Sequence, residues 1–393
     1  MLFYSYSLDI GRVMNYHIIK NKIKKEKKVK KVLVLTSTLL LISILAAIDF
    51  DYDADMLTRA AAYNDTEKND GGHIDSRLRM GLNSELTEGL NFRLAIEIGE
   101  ITWGDSTTGG NIGAGGINIE TSELYLDYYS PIIKTNIKAG LQYLADHRSL
   151  VLDNYGAGVM LYRDIAGMNV QAGMLKNMEN NHFKHDDYTI FLASLEATSP
   201  VIWGFNGFVG YDDKNDDGEI SFLPYVTLAS GPATLDLNPF VCFQFVDGSN
   251  KTGFGAAVKG DIDITPIQVG ADVLIASEDG LVPYCSYYQN GLFIYGYNII
   301  HDGLNLYWTD ELYHNNEETF ISAVGSIRFP VTEKHTLFAA GGWLKDLGME
   351  LNGGIESQLV KDMLKLYLYG AWGKNDDSDV NNYATGVSLQ LNF

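Results

Sequence analysis

Tyr383-Ala384-Thr385-Gly386-Val387-Ser388-Leu389-Gln390-Leu391-Asn392-Phe393 closes the chain. Tyr383, Thr385, Val387, Leu389, Leu391 and Phe393 fall on one side of an extended backbone, and Ala384, Gly386, Ser388, Gln390 and Asn392 on the other. Successive side chains of a strand point to opposite faces. This period of two therefore predicts a strand with an apolar medium on one side and a wet one on the other. The pattern recurs. Phe92, Leu94, Ile96 and Ile98 oppose Arg93, Ala95, Glu97 and Gly99; Leu78, Met80, Leu82 and Leu86 oppose Arg77, Arg79, Gly81, Asn83 and Glu85. Leu364, Leu366, Leu368 and Trp372 oppose Lys365, Tyr367, Tyr369 and Gly373. In each case one face is too polar for the core of a sandwich, whose apolar faces meet inside, and the other is too apolar for water.

Connections alternate short and long. Short ones are expected near Thr87–Gly89, Ser130–Pro131, Ala166–Gly167, Ser199–Pro200, Gly231–Pro232, Thr265–Pro266, Thr332–Lys334 and Val360–Asp362, several carrying the Gly or Pro of tight turns. Longer polar segments lie between them at 104–116, 145–155, 177–186, 213–218, 247–252, 278–318 and 375–382. After residue 47 every apolar run is broken by Gly, Asp, Asn or Lys, so a membrane-spanning body has to be a closed barrel rather than a helix bundle. The expected fold is all-β: a transmembrane antiparallel up-and-down β-barrel of about 18 strands, within a range of roughly 16 to 20, with both ends on the periplasmic side. The stretch 278–318 either adds a hairpin or folds into the pore.

The N-terminus carries Lys22, Lys24, Lys25, Lys27, Lys28, Lys30 and Lys31 before an apolar run from Val32 to Ala47. That run is short of the roughly 20 residues a spanning helix needs. With small residues at Ala46 and Ala47, it reads as a secretion signal over 1–47, with an internal start near Met14 or Val29. The barrel domain is then 48–393. It holds 20 basic and 48 acidic groups, a net charge of −28, which argues against nucleic-acid partners and for wet, exposed loops. Forty glycines and 24 tyrosines suit close strand packing and interfacial aromatic girdles. Cys242 and Cys285 allow one loop-to-wall disulfide in an oxidising compartment, or two separate thiols.

The last strand, ending on Phe393, resembles the closing strand of Gram-negative outer-membrane barrels, in which the terminal Phe is read by the barrel assembly machinery. The segments Glu97-Ile98-Gly99-Glu100-Ile101-Thr102-Trp103-Gly104-Asp105 and Ile119-Glu120-Thr121-Ser122-Glu123-Leu124-Tyr125-Leu126-Asp127 resemble hairpins of bacterial general porins, and the chain is similar to the alginate-export-like group. The resemblance implies a water-filled channel for small polar solutes in the outer membrane, contacts with lipopolysaccharide, and a homotrimer.

Six of the seven arginines of 48–393 precede residue 164: Arg59, Arg77, Arg79, Arg93, Arg148 and Arg163. Alternation puts Arg77, Arg79 and Arg93 on the polar face, with Arg59 joining from the first strand. Lys134 and Lys138 share the polar face of a later strand, and Glu97, Glu123 and Asp127 face the same lumen. These groups either knit the wall, pairing with Glu85, Glu97 and Asp127, or set a transverse field across a constriction. Arginine forks also suit a carboxylate or phosphate solute. The acidic loops favour cations.

Asp213-Lys214-Asn215-Asp216-Asp217-Gly218-Glu219-Ile220-Ser221 follows the first nine positions of an EF-hand loop, with Asp213, Asn215, Asp217 and Glu219 as candidate calcium ligands. Pro224 stands where the bidentate Glu belongs, so a solvated hairpin is the competing expectation. Asn375–Asp379 is a second acidic loop. Enzyme signatures are absent: His182, His185, Asp186 and Asp187 lack a third placed ligand, no Ser has a nucleophile-elbow setting, and Gly109–Gly116 is not a phosphate cradle. The two rivals to a pore are a plugged barrel serving as surface anchor or adhesin, and a barrel enzyme.

Overall fold

The structure, a computed structural model, describes residues 50–64, 70–105, 118–178, 187–246, 249–282, 284–301, 304, 306, 318–376 and 381–393. The secretion signal over 1–47, the Gly109–Gly116 loop and the His182–Asp186 segment lie outside them, as do residues 307–317.

Eighteen strands are found among the described residues. They are β1 (Asp51–Asn64), β2 (Asp70–Thr87), β3 (Leu90–Thr102), β4 (Glu120–Ser130), β5 (Thr135–Ala145) and β6 (Asp153–Ile165). Then come β7 (Met168–Met178), β8 (Tyr188–Ala197), β9 (Ile202–Asp212), β10 (Asp217–Ser230), β11 (Ala233–Val246) and β12 (Ser249–Ile264). The last six are β13 (Ile267–Ala276), β14 (Phe320–Pro330), β15 (His335–Leu344), β16 (Gly348–Val360), β17 (Leu364–Asn375) and β18 (Asn381–Asn392). Each pairs antiparallel with its sequence neighbours, and β1 pairs with both β2 and β18, which closes the sheet into a barrel without a free edge. Phe393 seals the seam: its N–H donates to Ala54 O at 2.9 Å and its carbonyl accepts from Ala54 N at 2.8 Å.

The eight expected short connections all fall between strands, on the side of the barrel that holds both chain ends. Ala166-Gly167 shows why residue choice matters: both take positive φ, 56° and 81°, as a two-residue hairpin requires. On the opposite side two expected long loops shorten. Strands β9 and β10 run on to Asp212 and Asp217, and β11 and β12 to Val246 and Ser249, because hairpin pairing extends through the polar residues.

Alternation sorts the side chains as read. Leu124, Leu126, Tyr128, Leu368, Trp372, Tyr383 and Leu389 are exposed on the outer surface, whereas Tyr367, Tyr369, Ala384 and Ser388 are buried inward. An outer band of large exposed apolar residues is what acyl chains would cover. The buried core sits inside the barrel. Between β13 and β14 the chain forms no described strand and folds inward, with Leu281, Leu292, Phe293, Ile294, Tyr295 and Leu304 wholly buried. Of the two expectations for this stretch, the inward fold is the one observed among the described residues.

Candidate functional site

The lumen wall made by β1–β4 carries the arginines that alternation placed there. Arg59 Nε donates to Asp75 Oδ1 at 2.7 Å, with both side chains buried. Arg77 Nη2 lies 3.9 Å from Asp55, and Arg79 Nε donates to Glu97 at 2.5 Å. Arg93 bridges two carboxylates, giving Nη1 to Asp53 at 2.9 Å and Nε to Glu123, and it also meets Asn83 Oδ1 at 2.9 Å. Knitting is therefore observed, with different partners from those expected. Glu97 serves, but Asp53, Asp55, Asp75 and Glu123 stand in for Glu85 and Asp127. Asp127 Oδ1 is buried and receives no hydrogen bond among the described residues. The missed partners were readable, since Asp53 and Asp55 alternate with Tyr52, Ala54 and Met56 on one strand.

The two lysines separate. Lys138 points inward, its ammonium 4.6 Å above the Tyr125 ring and 5.1 Å from that of Tyr162. Lys134 is not on the strand. It takes φ 53° in the turn before β5, at the chain-end mouth of the barrel. The turn absorbs four residues, from Pro131, where the sequence suggested two, and this moves Lys134 off the ladder.

Two segments fold into the lumen from the opposite mouth. In the β5–β6 connection, Asp146 accepts N–H bonds from Arg148 (3.1 Å), Leu150 (3.0 Å), Val151 (2.7 Å) and Leu152 (2.8 Å). Burial pushes the Asp146 carboxyl up, against the pull of those donors. The β13–β14 segment zips alongside: Tyr284 N donates to Val151 O at 2.8 Å, Asp153 N to Cys285 O at 2.7 Å and Tyr287 N to Ser149 O at 3.0 Å. Arg148 reaches across to Asp272 on β13 at 2.6 Å and lies over the Tyr288 ring. Further along, Glu350 on β16 accepts N–H bonds from Phe293 (2.8 Å), Ile294 (2.9 Å) and Tyr295 (3.0 Å), while Asn352 Nδ2 donates to its other side at 2.9 Å. Phe293 stacks on Tyr369 with ring centres 4.6 Å apart. Beside these segments the lumen keeps a cavity of about 680 Å³, lined by Tyr129, Tyr162, Glu196, Asn206, His147 and Tyr225 among others.

The expected calcium loop is a hairpin. Asp213–Asp216 form the turn, Asp212 rather than Asp213 accepts from Lys214 N and Asn215 N, and Glu219 is buried on the inner face with the Tyr188 hydroxyl donating to it. Among the described residues the carboxylates of Asp213, Asp217 and Glu219 do not converge on one point, because Asp213 stays in the turn while Asp217 and Glu219 lie along the extended backbone of β10. Cys242 and Cys285 are not bridged: the buried Cys242 thiol takes the Ser221 hydroxyl at 3.3 Å, and Cys285 lies exposed beside Leu152. Of the Asn375–Asp379 loop, 377–379 lie outside the described residues.

A cluster that sequence reasoning missed lies near the upper end of β2. His73, Asp75 and His301 bring two imidazoles and a carboxylate together on the inner wall. Burial holds the His301 imidazole below its usual range. No local signal could have found it, since His73 and His301 are 228 residues apart.

No protein-family model matches the chain, and no curated protein matches it either. Solved structures do. OccK2 (OpdF) of Pseudomonas aeruginosa in complex with glucuronate aligns with TM-score 0.60 and 10% identity over 88% of this chain and 98% of that one. A BenF-like porin from Pseudomonas fluorescens Pf-5 gives 0.59 and 10% over 88% and 98%. OccAB1 of Acinetobacter baumannii gives 0.58 and 12% over 88% and 96%. At these identities the likeness is one of fold: this chain shares the barrel fold of those structures.

Proposed function

We propose that the chain is an outer-membrane porin, a passive diffusion channel for small hydrophilic solutes and ions. The observation that carries this reading is the closed 18-stranded barrel, apolar outside, whose inner wall holds ion pairs and whose lumen keeps a polar-lined cavity of about 680 Å³. Residues 1–47 direct export, 48–393 form the barrel, and acyl chains and lipopolysaccharide cover its outer band. Phe393, bonded into the seam, presents the assembly signal, and three copies assemble. The channel performs no chemistry. Solutes pass down their own gradients, sorted by the width left beside the inward segments and by the charges on the wall.

OccK2 is seen with glucuronate, a carboxylate. This wall is suited to the opposite charge. Arg59, Arg77, Arg79 and Arg93 are met by Asp53, Asp55, Asp75, Glu97 and Glu123, four guanidiniums against five carboxylates. With no surplus of basic groups there, and with acidic residues at the loops, cations are the favoured solutes. A second reading, an occluded barrel acting as a surface anchor, is favoured by one observation: the apolar residues from Leu292 to Tyr295 are wholly buried within the lumen.

Single-channel current of the refolded chain (48–393) in a planar bilayer under a KCl gradient separates the two. Stable open steps with a reversal potential of cation sign support the porin. A folded, heat-modifiable barrel that stays electrically silent moves the weight to the anchor.

A further inference from the structure

We propose that His73, Asp75 and His301 form a binding site for a divalent first-row transition ion, Zn²⁺ by preference, which clips the inward β13–β14 segment to the barrel wall. His73 Nε2 lies 3.1 Å from His301 Nε2 and 3.1 Å from Asp75 Oδ2, and His301 Nε2 lies 3.3 Å from the same oxygen. The three atoms thus form a nearly equilateral triangle. Tetrahedral zinc with bonds of about 2.0–2.1 Å needs ligand atoms roughly 3.3 Å apart, so an ion fits over the face of this triangle without rearranging its corners. Without an ion, one ring's Nε2–H bonds the other's Nε2 across 3.1 Å only if a single ring carries its proton there; with both protonated at Nε2, like partial charges face each other.

The surroundings complete the site. His73 Nδ1 lies 3.3 Å from the Tyr63 hydroxyl, and His301 Nδ1 meets the hydroxyl of Tyr369. With Nδ1–H donating to a tyrosine oxygen, each ring presents the Nε2 lone pair inward, which is the tautomer a metal takes. Asp75 is fixed in the same way. Arg59 holds Oδ1 at 2.7 Å, leaving Oδ2 as the metal-side oxygen. Asp75 and His301 are buried and His73 is partly open to the lumen, so ions enter from His73's side and a fourth position remains for water.

Arg59 also sets the selectivity. Its charge offsets that of Asp75, so attraction by charge alone is weak here and nitrogen coordination has to supply the binding. Ca²⁺ and Mg²⁺, which need several oxygen ligands, are excluded, while Zn²⁺, Co²⁺ and their neighbours are accepted. Glu350 grips residues 293–295 and the ion would grip residue 301, giving the inward segment two separate fastenings.

The test uses the folded protein extracted from membranes in detergent, stripped with chelator and titrated with Co²⁺. The expected result is one Co²⁺ per chain with visible d–d absorption, displaced by Zn²⁺ and untouched by excess Ca²⁺. His73→Gln, at the partly open corner, should fold, remain heat-modifiable and lose the band. His301→Ala should do the same if it folds; if it does not, His73→Gln decides. Tyr369→Phe removes only the positioning hydroxyl and should weaken binding roughly 10- to 100-fold while keeping the band. Folded wild-type protein that takes up no Co²⁺, or folded His73→Gln that keeps the band, overturns the site. The readout is absorption, so it stands whether or not the barrel conducts.

Discussion

Glu350 and Asp146 do the same chemical work in opposite ways. Each is a buried carboxylate that collects backbone N–H groups from a segment inside the barrel: three for Glu350, four for Asp146. Glu350 belongs to the wall and reaches residues 55 to 57 positions away in sequence. Asp146 belongs to the segment itself and reaches no further than Leu152. One ties a distant segment to the barrel; the other only shapes the turn it starts. A carboxylate's leverage in this lumen therefore depends less on how many donors it satisfies than on how much chain it closes, since the entropy released on opening grows with that length.

Removing the wall carboxylate should give the largest effect. Glu350→Ala orphans three buried N–H groups, at about 1–3 kcal/mol for each donor left unpaired, and leaves the Asn352 amide with Gly291 O at 3.2 Å. The inward segment should come loose as a unit. Proteolysis after aromatic residues should then appear at Phe293, Tyr295 and Tyr297, and open-channel current should rise in amplitude and noise. Unchanged protection of these sites would show that the apolar packing of Leu292–Tyr295 holds the segment without Glu350.

Asp146→Ala should come next, with a comparable cost per donor and a narrower reach. Amide exchange should accelerate at Leu150, Val151 and Leu152 and stop at their zipper partners Tyr284 and Tyr287. Its pH dependence has a definite sign. Burial raises the Asp146 carboxyl in the folded state, so its contribution to stability is fully present below the ordinary carboxylate range. That contribution is lost as pH rises through the raised folded value. Protection at Leu150–Leu152, taken relative to the intrinsic base-catalysed exchange rate at each pH, should therefore be greater in mild acid than in alkali. Lower protection in acid would mean that the four N–H donors outweigh desolvation.

Arg93→Ala tests the wall rather than the segments. Asp53 and Glu123 would lose their shared guanidinium, adding net negative charge to the inner wall. The reversal potential in a KCl gradient should move further toward cations, with the permeability ratio changing on the order of twofold because water screens this partly open pair. A shift toward anions would refute the assignment of a surplus of carboxylates to this wall.

How much of this was legible beforehand follows from the range of the interactions. Alternation is local, so β18 could be read residue by residue, and turn chemistry is local, so Ala166-Gly167 was found in place. Arg59 and Arg79 lie on the inner wall for the same reason. Their partners were only half readable, because which carboxylate meets which arginine depends on pairing registers that alternation does not carry. The Asp213–Glu219 stretch misled because spacing along a sequence matches an EF-hand whether the backbone coils or extends, and here strand pairing extended it. Glu350 lies between Met349 and Leu351, an inward position by alternation, yet its role depends on a segment that has no period. His73 and His301 meet only because β2 and the inward segment share one lumen.

The control for the opening comparison lies outside the lumen. Lys345 has two carboxylates within ion-pair range, Glu318 at 3.0 Å and Asp346 at 3.2 Å, and their pull raises its ammonium above the usual range. Both of those carboxylates are exposed; Asp346 is the next residue in the chain, and Glu318 lies 27 positions back across the β14–β15 hairpin. Water and salt compete for such pairs, and holding the side chains in place costs entropy that offsets the attraction. Lys345→Ala should accordingly leave the thermal transition and the current amplitude where they are, and raising the salt should change nothing that the substitution has not. A destabilisation approaching that of Asp146→Ala would show that charge proximity alone, rather than burial, sets the strength of these contacts.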